Sequence, residues 1–287
     1  MTSDKNQTHA LSENQVQADS WGSLKSLTEA RIGLGRAGVS IPTRAQLQFN
    51  LDHALARDSV NIPLSMYSLH KELQQKNITS LRLHSRVIDR REYLQRPDLG
   101  RRLNEDSVST LASFVSEQKS SPDVALVLVD GLSSTGVQQQ GARLCEAIQA
   151  DCAEAGFSVS PVCLVEQGRV AIGDEIGELL AAKTVILVVG ERPGLSSPDS
   201  LGIYFTYEPK VGLNDASRNC ISNIREGGLS VNLASEKALW LLRESCRLKL
   251  SGVNLKDTAE SAQLTRDETQ AANFLLPDAI SRAGAEE

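Results

Sequence analysis

Two hydrophobic spacings alternate along the second half of the chain. Residues 124–129, 157–165 and 184–189 are rich in apolar side chains with little polar alternation, the pattern of strands covered on both faces. Between the first two, Val137, Gly141, Leu144, Cys145, Ile148, Cys152 and Ala155 recur at helical spacing as far as Gly156, and residues 174–182 form a shorter helical pattern. Strand, helix, strand, helix, strand predicts a parallel sheet with right-handed crossovers, a flavodoxin- or Rossmann-like α/β fold with helices on both faces. Residues 203–207 read as one more strand, 214–223 as irregular or briefly helical, and 231–250 as a closing amphipathic helix with Leu233, Ala238, Leu241, Leu242 and Leu248 on its apolar side.

The first hundred or so residues carry a different pattern. Residues 1–20 are polar and predict a flexible tail. A short helical pattern at 21–38 is followed by a helix at 43–58, where Thr43 and Gln46 stand at capping-box spacing and Leu47, Leu51, Ala54 and Leu55 share a side. Further helices are expected at 64–74 and 105–117, with a strand at 81–87. The expected organisation is thus a tail (1–20), a mainly helical N-terminal region (21–118), an α/β domain (119–256) and a polar extension (257–287) with a short helix near 267–276. Gly33, Gly35 and Gly38 match G-x-G-x-x-G, but they follow a polar helical stretch rather than a strand, so a dinucleotide site is not expected there.

Composition narrows the function. A formal net charge of −6 removes the electrostatic motive for nucleic acid or anionic membrane as principal partner. No apolar run approaches the roughly 20 residues of a membrane helix, and no secretory signal is expected. The five cysteines include no C-x-x-C pair and read as reduced thiols.

In an open α/β sheet, ligands sit beyond the carboxyl ends of the strands. Three loops should converge there, at residues 130–134, 166–173 and 190–199, bringing Asp130, Ser133, Arg169, Val170, Glu191 and Arg192 together. Gly131, Gly168, Gly190 and Gly194 are expected to form a flat backbone face open to a large planar ligand. Plainer readings stand beside this one: Asp130 as a helix cap, Arg169 paired with Glu166 or Asp174, Glu191 as loop decoration. Six arginines between Arg86 and Arg102 suit either internal or intersubunit ion pairs, or contact with an anion. All four histidines precede residue 119, so the sheet is expected to have no histidine base or metal ligand in its own loops; a cofactor or another subunit would bring the chemistry.

Several long strings, at residues 30–38, 96–102, 169–178, 190–201, 218–224 and 251–253, resemble the small subunit of ethanolamine ammonia-lyase, and the similarity covers roughly residues 21–256. The resemblance implies one of two subunits of an adenosylcobalamin-dependent lyase that converts ethanolamine to acetaldehyde and ammonia. It implies that the large subunit, a barrel, holds substrate and radical chemistry, while this subunit covers part of the corrin and its nucleotide tail at the interface. It implies a hetero-oligomer in the bacterial cytoplasm, within a microcompartment. Carried over by position, Val170, Glu191 and Cys220 match the family's cobalamin-contacting residues, with Arg169 beside them; no residue is assigned a catalytic role. With no D-x-H-x-x-G loop in the chain, the nucleotide base is expected to stay on the cobalt. Cys220 is expected to offer a contact surface rather than a nucleophile. The extension after Lys256 departs from the family pattern. The rival readings are a cobalamin-binding or chaperone module without a catalytic partner, and a self-contained flavin or nucleotide enzyme.

Overall fold

A computed structural model of the chain describes residues 16–256. Most of the expected tail and the helix expected near 267–276 lie outside the described residues. Six strands, β1 (Ser80–His84), β2 (Val124–Val129), β3 (Val162–Glu166), β4 (Thr184–Gly190), β5 (Leu201–Tyr207) and β6 (Arg218–Ile224), form one sheet in the order β1-β3-β2-β4-β5-β6. The first four in that order are parallel neighbours, whereas β5 runs antiparallel to both β4 and β6. The expected α/β class and the parallel pairing of β2, β3 and β4 are present, but the sheet as a whole is mixed, so the expectation of a parallel, flavodoxin- or Rossmann-like one is met only in part. Residues 191–200, between β4 and β5, form no helix, and a parallel return needs a crossover of about a dozen residues or more.

The two faces of β2, β3 and β4 explain their unbroken apolar sequence. Leu126, Leu128, Leu164, Ile186 and Val188 pack toward α2 (Met66–Gln75), α6 (Ala142–Glu154) and α8 (Val231–Leu248). Ala125, Val127, Val129, Val165, Val185 and Leu187 pack toward α4 (Glu105–Glu117) and α7 (Ile172–Leu179). On the second face the covering stops at the antiparallel end: Tyr204 on β5 is half-buried and Cys220 on β6 is exposed. Strand β6 was read as irregular because its apolar positions, Ile221 and Ile224, do not alternate regularly, and its pairing with β5 contains a register shift.

The N-terminal part contributes more than helices. Strand β1 pairs with β3, and His84, its last residue, stands opposite Glu166. A histidine thus belongs to the sheet, within a strand rather than one of its loops; the His84 ring lies 2.8 Å from the Ser85 carbonyl oxygen. A helix not foreseen, α3 (Arg90–Gln95), is closed by a reciprocal cap in which Asp89 accepts from Glu92 N–H and Glu92 accepts from Ile88 N–H. By contrast α1 (Thr43–Asn61) begins at Thr43 itself, without a side-chain cap, so Thr43 and Gln46 make no capping box. Its Leu47, Leu51 and Leu55 remain exposed along one side. Residues 21–38 are helical only as a 3-10 turn at Ser20–Leu27, and the G-x-G-x-x-G glycines lie in irregular backbone, each with positive φ.

Two carboxylates in the first turn of α7 fasten it to distant chain. Glu175 accepts from Arg102 and from Leu103 N–H. Asp174 pairs with Arg218 at the start of β6, both side chains being almost fully buried. Breaking such a pair strands a charge, so Arg218→Met is expected to cost about 3–5 kcal/mol in urea unfolding. Arg247→Ala, which removes an exposed pair with Glu244, should leave the urea midpoint essentially unchanged. Equal effects would refute the assignment of Arg218 as the fastening residue.

Candidate functional site

The carboxyl ends of β2, β3 and β4 feed three loops that meet around a crevice of about 410 Å³. Its lining includes Gly131 and Leu132 after β2, Arg169 and Val170 after β3, and Glu191 and Arg192 after β4. Tyr93 from α3 and Tyr204 from β5 complete the walls. The expected convergence is thus present, and so are three of the four candidate residues. The fourth, Cys220, stands opposite Tyr204 in the β5–β6 register, on the uncovered end of the sheet, so it borders the crevice.

Glycine has a different task here from the one expected. A Cβ on Gly131 would come within 2.2 Å of the Gly190 carbonyl oxygen, and a Cβ on Gly190 within 1.9 Å of the Ser133 carbonyl oxygen. The two loops interlock, and Leu132 N–H donates to the Gly190 carbonyl at 2.9 Å. A Cβ on Gly168 would meet the Val129 side chain, and one on Gly194 the Ser197 hydroxyl. These positions are glycine for internal close approach; Gly131 and Gly190 also line the crevice, whereas Gly168 and Gly194 are not among its lining residues, so the expected flat backbone face is met only in part.

Asp130 ends β2 and ties two loops together. Its carboxylate accepts from Gln167 N–H at 2.9 Å and Gly168 N–H at 3.1 Å, and lies 3.5 Å from the Arg90 guanidinium. It caps no helix. Burial outweighs these favourable contacts and lifts its pKa to about 6. Arg169 pairs with neither Glu166 nor Asp174: it donates to the Tyr93 carbonyl at 2.7 Å and stacks on the Tyr93 ring at 4.1 Å, with Arg90 also over that ring at 4.4 Å. Its Nε is buried without a hydrogen-bond partner. Of the arginine run, Arg90 and Arg102 are therefore internal partners of Asp130 and Glu175, and Arg96 pairs with Asp98 on the surface.

Glu191 is more than loop decoration. Its carboxylate accepts from Asn223 N–H at 3.2 Å and lies over Gly202, where a Cβ would come within 2.9 Å of it. Burial raises the Cys220 pKa, the Tyr204 hydroxyl beside it acting in the opposite direction, so at neutral pH the thiol is protonated. Burial likewise lifts the Tyr204 phenol to about 12. Tyr93 and Tyr204 were missed as site residues. The i, i+3 spacing of Arg90 and Tyr93 could have flagged a guanidinium over a ring.

The family model described as ethanolamine ammonia-lyase light chain (EutC) matches residues 18–256. Proteins described as ethanolamine ammonia-lyase small subunit are similar over most of their length. That of Pseudomonas paraeruginosa is 52% identical over 273 residues, 95% of this chain and 98% of its own. That of Pseudomonas fluorescens Pf-5 is 52% identical over 258 residues, 89% of this chain and 94% of its own. That of Pseudomonas putida KT2440 is 52% identical over 258 residues, 89% and 95%.

The Asp130 carboxyl makes a pH test. Its folded pKa, about 6, exceeds the ordinary 3.8, so between those values the folded chain holds a proton the unfolded chain has released. Asp174, also raised to about 6 by burial, acts in the same direction. Their joint contribution is most favourable below about pH 4 and is lost as pH rises through 6. Asp130→Asn should flatten that part of the wild-type slope of unfolding free energy against pH; an unchanged slope would contradict the buried-charge assignment.

Proposed function

Because the chain belongs to the ethanolamine ammonia-lyase light-chain family, we propose that it is the small subunit of an adenosylcobalamin-dependent ethanolamine ammonia-lyase, holding the cofactor against a catalytic large subunit. The observation that carries this reading is the grouping of Arg169, Val170 and Glu191 around one crevice, with Cys220 at its border, in a chain whose family match spans residues 18–256.

The donor set suits a corrin edge. A corrin is rimmed by carboxamides that both donate and accept hydrogen bonds; Glu191 offers an acceptor, and Arg169 and Arg192 offer donors. The buried Arg169 Nε has no acceptor among the described residues. Tyr204 and the Cys220 thiol add a soft, uncharged surface beside them. A crevice of about 410 Å³ is ligand-sized but far smaller than a cobalamin, which supports a shared site in which a second subunit covers the remainder.

When bound, adenosylcobalamin supplies a cobalt–carbon bond that opens to a carbon radical. The work of this chain is positioning: Val170 and Cys220 fix the depth of approach, and Glu191 and Arg169 fix orientation. The exposed apolar side of α1, with Leu47, Leu51 and Leu55, provides further surface for a partner.

Co-expression with the family's large subunit and added adenosylcobalamin tests the proposal. A stable two-subunit assembly should release acetaldehyde and ammonia from ethanolamine; cobalamin retained by this chain alone, with no assembly and no acetaldehyde, would favour a separate binding module. In the assembly, Glu191→Ala and Arg169→Ala should each raise the cobalamin Kd about 10- to 150-fold, the range expected for a hydrogen bond to a charged group. Unchanged Kd in both would remove these residues from the site.

A further inference from the structure

The segment that presents Arg169 and Val170 is held by contacts that do not belong to the sheet. Gln167 takes a left-handed backbone, φ 55°, which an L side chain adopts only when its surroundings hold it there. Gln167 N–H and Gly168 N–H donate to Asp130, and Arg169 N–H donates to the Gly100 carbonyl at 2.7 Å. From α3 the Tyr93 hydroxyl donates to the Gly168 carbonyl at 3.0 Å. Arg90 Nε donates to the Val60 carbonyl at 2.7 Å, bracing its guanidinium over Tyr93 and beside Asp130. Three places far from this segment in sequence, Asp130, Tyr93 and Gly100, thus specify three successive peptide groups.

This knot is costly for a protein that needs only a folded sheet. Asp130 is 3% exposed, and a buried carboxylate with an Arg partner contributes no more than an apolar side chain of the same volume would. The Arg90 Nη2 and Arg169 Nε donors remain buried without partners among the described residues. What the knot does secure is the place of residues 167–170 relative to the crevice.

We infer that Asp130, Tyr93 and Arg90 are positioning residues for cofactor binding: they set where the Arg169 guanidinium and Val170 stand in the crevice. The inference rests on the cofactor reading above. None of the three was among the positions carried over from the family, and Tyr93 alone of them also lines the crevice.

The experiment uses the reconstituted two-subunit complex, with cyanocobalamin as an unreactive probe. Two quantities are measured on each variant: the cyanocobalamin Kd, from visible absorbance, and amide hydrogen exchange across the chain. Asp130→Asn and Tyr93→Leu should speed exchange at residues 167–170 while β2 and β4 keep their protection, and should raise Kd about tenfold or more. Tyr93→Phe keeps the ring between the guanidinium groups and loses one neutral hydrogen bond, so it should restore Kd to within about threefold of wild type. Should Asp130→Asn not fold, the Tyr93 pair carries the same test. Faster exchange at 167–170 with an unchanged Kd, or a raised Kd with exchange accelerated equally throughout the sheet, overturns the positioning role and leaves the cofactor reading standing. A wild-type complex that binds no cyanocobalamin overturns the cofactor reading itself, and this inference with it.

Discussion

A single buried carboxylate organises the crevice edge. Asp130 closes β2, and its two oxygens take the first free amides after β3, so the ends of two central strands share one charge. Beside it the loop after β2 is pressed against the end of β4 so closely that neither Gly131 nor Gly190 could carry a side chain. The loops after β2, β3 and β4 are therefore not three independent connections. They form one rigid rim, and the chemistry offered by Arg169, Val170 and Glu191 depends on that rim being in place.

The mixed sheet supplies what the rim alone would lack. Had β5 continued the parallel order with a helical crossover, helices would have covered both of its faces. Instead residues 191–200 turn the chain back directly, and β5 and β6 extend the sheet with Tyr204 half-buried and Cys220 in the open. The crevice therefore has a wall of loops on one side and a bare strip of sheet on the other. The buried Asp174–Arg218 pair joins these two halves, since Asp174 opens the helix that follows Val170 and Arg218 opens the strand that carries Cys220.

Much of this was legible in the sequence because apolar runs and helical spacing report burial directly. Strand β2 and helix α4 were foreseen with their observed limits, and β4 to within one residue. Convergence of the three loops followed from the order of those elements. What stayed hidden depends on partners remote in sequence. Nothing near Arg90 or Tyr93 announces that they meet Asp130 and Gly168, and no local pattern distinguishes a glycine that faces a ligand from one that faces another loop. β6 was obscured because its face toward the crevice is polar where a packed strand would be apolar. The antiparallel turn could have been read from the helix-free stretch before β5, a length constraint that outweighs the habit of continuing a parallel series.

The central claim is that a corrinoid rests on the rim and the open strip together. A structure of the two-subunit complex grown with cobalamin tests it most directly. The account requires the tetrapyrrole to touch Val170, Glu191 and Cys220, with its far side covered by the large subunit. A tetrapyrrole lying elsewhere, out of reach of all three, would contradict it.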